Sequence, residues 1–547
     1  MDQSRSMCAP SVLSSTAEGD AESDGKTSQL RYIDLLQYSK TCGWAIGLHE
    51  VLLLDDLPAS CHPPLPPKAA SWPPYTYIPP QSNSFRSPAL PPPSTHPSRS
   101  TPQAPTLDPK MPSKLALKLL PAVLLASILA TTHGAPLGTS TSAAPYPSPT
   151  VPYASDDPNT ELWGPYSDIV PQAQRGTYGA TILGPQNVPL ELQNPSLLAP
   201  PTTDHGTVKN AKWPFALSHN RLQTGGWARQ QTVADMPIAT GIAGVNMRLE
   251  KGAIRELHWH NAAEWAYVLK GTAQISTVTA DGQNYVANVP QGSLWYFPSG
   301  QPHSIQATGD DSDGVEFLLV FDNGEFNEND TFLLTDWLAH VPKEVLAKNF
   351  HTSEAAFDRI PGQELYIFPG PVPSDNQQGP QSPYGTTPEP YTFDFASMKP
   401  TQHPGGTVKI ADSRNFKVAK TIAVAEVTVQ PGAMRELHWH PSDDEWTYFI
   451  EGSARITLFA ASGNARTFDY QCGDIAYIPG SYGHYIENTG NSTLHFIEIL
   501  KTDVFKDVSL NQWLALTPPE LVKAHLRLSD ETISQLSKVK PVVVAPQ

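Results

Sequence analysis

The sequence is poor in cysteine: four in 547 residues, at Cys8, Cys42, Cys61 and Cys472. Only Cys472 falls where the chain has the texture of a folded domain. No disulfide framework and no thiolate-based zinc site can be built inside that part. Positive charge is also short, with 36 basic against 53 acidic residues and a net charge of −17. That balance argues against nucleic acid as a partner and repels small dianions at neutral pH. Long hydrophobic runs are missing as well. The longest begins after Met111, carries Lys114 and Lys118 at its start, contains Pro121 and ends at Ala130. It is too short for a comfortable membrane span, so no membrane partner is expected. Small residues at Thr132 and Gly134 follow it, and 111–134 has the order of a secretory signal peptide.

Proline, by contrast, is abundant: 56 residues, dense with serine over 62–106. Such text cannot bury enough surface to offset chain entropy. A signal peptide belongs at an N-terminus, so 1–110 is expected to be disordered or not part of the natural product. An internal signal anchor is the alternative. A secreted chain starting near 135 would open with an extended arm, 135–205. The sequons at Asn329 and Asn491 fit that compartment.

The hexapeptide Arg-Glu-Leu-His-Trp-His occurs at 255–260 and again at 435–440, inside longer matching blocks that recur in the same order. The repeat predicts two copies of one domain, 206–368 and 392–547, joined by a Pro/Gly/Ser-rich linker, 369–391. Each copy is a series of short alternating runs broken by Gly, Pro, Asn and Asp, which read as antiparallel strands. Each ends in an amphipathic stretch whose apolar face, Trp337, Leu338, Val341 and Val345 in the first copy, would cover a barrel or a neighbouring subunit. The expected class is all-β, two small barrels or jelly rolls with short appended helices.

In a strand, residues two apart share a face. His258 and His260 therefore project together, as do His438 and His440. Glu264 lies four positions beyond His260; Glu445 lies five beyond His440, which asks for a bulge or a longer turn. His303 and His484 each follow a proline-containing turn by the same five-residue step. Three imidazoles and a carboxylate, twice and without thiolates, suit octahedral Mn(II) or Fe(II) with two positions open. The indoles of Trp259 and Trp439 point to the opposite face, where packing is the first reading and electron relay between metals the second.

These residues and their glycines resemble the two motifs of the cupin superfamily. The first copy has Gly252, His258, His260, Glu264 and Gly271, then Gly292, Pro298, Gly300 and His303. The second has Gly432, His438, His440, Glu445 and Gly452, then Gly473, Pro479, His484 and Asn488, with Ser481 where the motif has its second glycine. The pair resembles a bicupin, and "FLLVFDNGEFNENDTFLLTDWLAH" (317–340) resembles an oxalate decarboxylase of the fungal-type secreted form.

That resemblance implies double-stranded β-helix barrels with one Mn(II) per cupin, and dioxygen as a cofactor rather than a net reactant. Oxalate would be split into carbon dioxide and formate, with a lid glutamate delivering the last proton. Glu328 is the matching residue, in a lid reading Asn327-Glu328-Asn329-Asp330. The family's lid is often Ser-Glu-Asn-Ser, so the Glu-Asn pair is kept and both flanks differ. Arg255 would pair with an oxalate carboxylate, Arg435 is its counterpart, and Glu498 would be a buried carboxylate near the other metal. A glycan on Asn329 would hinder lid closure, so that sequon is expected to be unoccupied. Trimers or hexamers are implied. An acidic optimum follows, because acid reduces the protein's negative charge and makes oxalate a monoanion. The rivals are a bicupin oxalate oxidase releasing carbon dioxide and hydrogen peroxide, a non-enzymatic storage or sugar-binding bicupin, and an Fe-dependent dioxygenase.

Overall fold

The computed structural model describes residues 170–374 and 377–546. The expected disordered segment, 1–110, and the signal-like segment, 111–134, lie outside them. Two barrels of antiparallel strands are built, each from a seven-stranded and a six-stranded sheet.

Strand texture follows from what each sheet faces. The seven-stranded sheets lie between a barrel interior and the other barrel, so both faces are dry. Their strands read as nearly continuous apolar runs, as in Val315–Phe321 and Leu494–Leu500. Tyr267, Leu318 and Val320 of the first barrel belong to the same buried cluster as Val427, Trp446 and Ile497 of the second. The six-stranded sheets keep one face toward water, and their strands His303–Ala307 and His484–Asn488 alternate buried and half-buried residues.

The two halves exchange edge strands, which the repeat boundaries do not disclose. Lys212–Pro214, assigned by sequence to the first domain, pairs with Asp474–Ala476 of the second. Thr392–Phe393, assigned to the second, pairs with Leu294 and Trp295 of the first. The arm also differs from a simple extended segment. It forms a hairpin, Ala173–Arg175 with Tyr178–Ala180, and two short helices. It lies against the second barrel: Ser196 N–H donates to Asp469 Oδ2 at 2.7 Å, and His205 bridges Ala465. The linker lies against the first barrel, where Thr386 bridges Asn284 and Ser382 Oγ donates to Gly282 O at 2.7 Å. Covering an edge in this way removes a row of unpaired backbone groups from water.

The helical appendages differ from the expected single amphipathic stretch. Each is split at a proline, into Leu334–Ala339 and Lys343–Phe350, and into Leu510–Ala515 and Pro519–Leu526. Trp337 and Val345 of the expected apolar face are largely exposed, and Leu346 and Val522 supply the buried contacts. No helix among the described residues is long and apolar enough to cross a membrane.

Candidate active site

The hexapeptide forms one strand in each barrel, Ile254–Trp259 and Met434–Trp439. Its pairing with the following motif strand slips by one residue: His258 faces His303 and Arg255 faces Ile305, so two residues between the pairs, Glu256 and Leu257, oppose one, Ser304. The same slip separates His438 from Arg435. Such a bulge changes the parity of side-chain direction. Arg255 and His258, an odd number apart, are therefore both buried on the inner side, whereas Leu257 is exposed.

The glutamate and the tryptophan of the hexapeptide have partners outside the metal cluster. Glu256 accepts from Thr335 N–H and Oγ1 at 2.7 and 2.6 Å, and from the N–H groups of Leu365 and Tyr366 at 2.8 Å. It ties the appended helix to the strand. Glu436 does the same for Ser509 and Val542. Trp259 stacks on Phe332 and meets Trp337 edge-on; Trp439 meets Trp513 likewise.

The histidines and carboxylates converge as two buried clusters: His258, His260, Glu264 and His303, and His438, His440, Glu445 and His484. Within each, the ligating atoms lie within 4.8 Å of one another. The extra residue before Glu445 is absorbed by a longer turn, so Glu264 and Glu445 both open their strands, Glu264–Lys270 and Glu445–Glu451. Gly300 and Ser481 occupy the same left-handed turn position, at φ +76° and +68°. Serine is strained there; its hydroxyl donates to Pro441 O at 2.6 Å.

A cation fits both clusters. All six Nδ1 atoms face backbone carbonyls at 2.6–2.9 Å, those of Glu256, Ala262, Gln301, Glu436, Lys506 and Tyr482. Carbonyls accept, so the ring proton sits on Nδ1 and Nε2 turns a bare lone pair inward. Nε2 of His303, His438 and His484 is buried without a hydrogen-bond partner. Nε2 of His260 lies 3.2 Å from Glu264 Oε2, acceptor against acceptor. Burial, Arg255 and the two neighbouring imidazoles push His258 well below the usual histidine range, leaving it neutral. Glu264 Oε2 stands 3.2 and 3.3 Å from the Nε2 atoms of His260 and His303. Its second oxygen accepts from Trp295 Nε1 at 2.8 Å; in the other half the Thr447 hydroxyl holds Glu445. Neutral nitrogens and one carboxylate around a common point are a hard-to-borderline divalent site.

Beside the first cluster, Arg255 Nε and Nη2 both donate to Glu328 Oε1, at 3.0 and 2.6 Å. The Tyr366 hydroxyl donates to the same oxygen at 3.2 Å. Burial and the Glu328 carboxylate push the Tyr366 phenol up, so it stays a donor. Arg255 Nη1 is buried without a partner. Tyr366 and Gln230, which contact Arg255 or the lid, had no motif to mark them.

The second half is built differently. In the strand after the motif, Glu498 stands where the first half has Leu319. Asp507 stands at the place of Glu328, immediately before Val508–Ser509, and nothing corresponds to 329–331. Arg435 Nε donates to Glu498 Oε1 at 3.2 Å, and its Nη2 pairs with Asp507, which also pairs with Lys540. Burial, with Glu445 nearby, raises Glu498. Burial raises Asp507 too, but Arg435 and Lys540 outweigh it and hold Asp507 well below the carboxylate range. A folded-state value below the unfolded one gives stability that is complete above about pH 4 and lost as pH falls through the lower value. Asp507→Asn is therefore expected to cost about 3 kcal/mol near pH 6.5. Thermal-unfolding curves of variant and wild type should converge in strong acid; a pH-independent gap would contradict the pairing.

Comparison with known proteins places this geometry. The cupin family model matches residues 217–356 and 395–534. The oxalate decarboxylase OxdC of Bacillus subtilis is 54% identical over 379 residues, spanning 69% of this chain and 97% of that protein. The chain belongs to the bicupin oxalate decarboxylase family. A probable oxalate decarboxylase of Arthroderma benhamiae is 43% identical, spanning 68% of this chain and 92% of its own. A B. subtilis oxalate decarboxylase structure concerned with the EPR parameters of its Mn(II) centres superposes with a TM-score of 0.67 at 53% identity, over 69% of this chain and all of that one. The bicupin's two clusters thus provide two metal-binding sites of three histidines and one glutamate, one per barrel.

Proposed function

We propose that this bicupin converts oxalate to formate and carbon dioxide with Mn(II), and that turnover takes place in the first barrel. The observation that carries the reading is Glu328, buried on Arg255 beside the first cluster, in a lid for which the second barrel has no equivalent. When bound, Mn(II) supplies a Lewis-acidic, redox-active centre with positions open to oxalate and dioxygen.

The chain's own groups do the rest. His258, His260, Glu264 and His303 hold the ion. Arg255, whose Nη1 is buried and unpaired, binds and polarises a carboxylate of oxalate. Three donors occupy Glu328 Oε1, so a proton on Glu328 rides on Oε2 and is available to the product carbon. The balance is oxalate dianion plus one proton giving carbon dioxide and formate. Arg435, Glu498 and Asp507 hold one another, and this supports a structural role for the second site.

Secretion and assembly into trimers or hexamers belong to the same reading. The signal-like 111–134 and the sequons support the first. The exposed Trp337, Phe350, Trp513 and Leu521 on the appended helices support the second. The test is one assay of wild-type protein on oxalate at acidic pH for both formate and peroxide. Formate in excess is expected; peroxide as the main product would establish the oxidase, and neither product would leave a binding protein.

A further inference from the structure

We infer that the hairpin of Arg221–Gln223 and Gly226–Gln231 is a latch that governs how long the lid stays shut, with Gln230 as its positioning residue. The inference rests on the reading of Glu328 as proton donor.

The Gln230 carboxamide grips two successive lid residues at once. Its Nε2 donates to Asn327 Oδ1 at 3.0 Å, and its Oε1 accepts the Glu328 N–H at 2.9 Å. Arg221 holds the next residue, donating from Nη1 to Asn329 Oδ1 at 3.0 Å. The same guanidinium lies 3.6 Å from the centre of the Tyr366 ring and is paired with Glu364. Three consecutive lid residues are thus fastened to one hairpin.

Apart from the Arg255 and Tyr366 contacts of the Glu328 carboxylate, little else fastens them. Between the buried Phe326 and Leu333, the only buried side chain is that of Glu328. No apolar side chain within 327–331 is buried, so the closed state depends on polar contacts: the Arg255–Glu328 pair at the carboxylate and the modest hydrogen bonds of the hairpin at the lid's backbone and flanking amides. A cavity of about 390 Å³ adjoins it, lined by Arg221, Gln230, Glu328, Asn329 and Tyr366 among others, and gives the lid room to move. The second barrel makes an internal comparison. Aligned through the hairpin turns at Gly226 and Gly406, Gln230 and Arg221 correspond to Ile410 and Thr401. The latch residues are present only in the half that has a lid.

An open lid removes the proton donor from the reacting substrate. Oxalate and dioxygen with two protons then give two carbon dioxide and hydrogen peroxide, in place of carbon dioxide and formate. The ratio of the two products therefore reads the latch. The experiment compares manganese-loaded wild type, Gln230→Ala and Gln230→Glu on oxalate, measuring formate and peroxide together. Hydrogen–deuterium exchange over 327–331 and over Glu264–Lys270 is measured on the same samples. Gln230→Ala is expected to raise the peroxide-to-formate ratio about tenfold, the scale of losing two modest hydrogen bonds. Exchange should quicken at 327–331 and not in the barrel strand. Gln230→Glu keeps the acceptor for Glu328 N–H but opposes Asn327 Oδ1 with another acceptor, and should fall between. It decides the matter if the alanine variant exchanges quickly throughout. Formate and peroxide falling together at a constant ratio, or unchanged exchange over 327–331, would overturn the latch. Absence of formate from wild type would instead overturn the reading beneath it.

Discussion

Glu328→Gln is expected to lower formate release from oxalate by about 10²- to 10⁴-fold, the range a positioned general acid contributes. Glutamine keeps the size of the side chain and an oxygen for Arg255 and Tyr366, which now meet at Oε1. What it loses is the acidic proton. Peroxide should become a larger share of the remaining product, because the substrate's electrons still have dioxygen to go to. Glu328→Ala should show the same product shift with a stability loss added, since truncation leaves the buried Arg255 charge without its carboxylate; breaking such a pair costs about 3–5 kcal/mol. Comparing both variants by initial rates and thermal unfolding separates chemistry from folding. Formate release within twofold of wild type in the glutamine variant would remove Glu328 from the reaction.

The second large effect concerns the metals. Wild type should carry two ions per chain, and Glu264→Ala and Glu445→Ala should each carry one. Removing either carboxylate takes the anionic ligand from a set whose remaining members are neutral imidazoles facing one another. The two variants should differ in activity. Glu264→Ala is expected to lose formate production by at least about a hundredfold, as the ion that binds and polarises substrate is gone. Glu445→Ala should retain turnover and lose thermal stability, because the Arg435–Glu498–Asp507 arrangement packs against that cluster. Metal analysis of desalted protein, together with rates, distinguishes the sites. Equal activity losses in the two variants would show that turnover is not confined to the first barrel.

Much of the site was legible before any fold was known, for reasons particular to these residues. His258 and His260 are two apart in a strand, so local periodicity alone turns both rings inward. Glu264 and His303 follow at steps repeated in the second copy, and a repeated polar pattern is hard to explain by core packing. The short runs broken by Gly, Pro, Asn and Asp marked antiparallel strands, but alternation alone did not show that runs such as Val315–Phe321 lie in sheets dry on both faces. Arg255 was picked out by resemblance, yet strict alternation from His258 would have turned it outward; the bulge between them brings it back. Glu445, one residue out of step, was accommodated in a turn rather than in the strand. The split at Pro342 and the burial of Leu346 in place of Trp337 were readable in principle, as proline cannot continue the helix it entered.

The sequence by itself determined the duplicated all-β architecture and the donor atoms of both clusters; Glu328 was picked out only by resemblance. These depend on interactions within a few residues or on repetition along the chain. Tertiary structure decided which groups surround that acid. Arg255 and Glu328 are 73 positions apart, Gln230 and Glu328 98, and Gln231 bonds Trp446 across 215. It also decided that each barrel completes the other's sheet, and that Asp507 is pinned between Arg435 and Lys540 where Glu328 has a lid of its own. Periodicity carries no information over such separations; only closing the barrels brings those side chains within bonding distance.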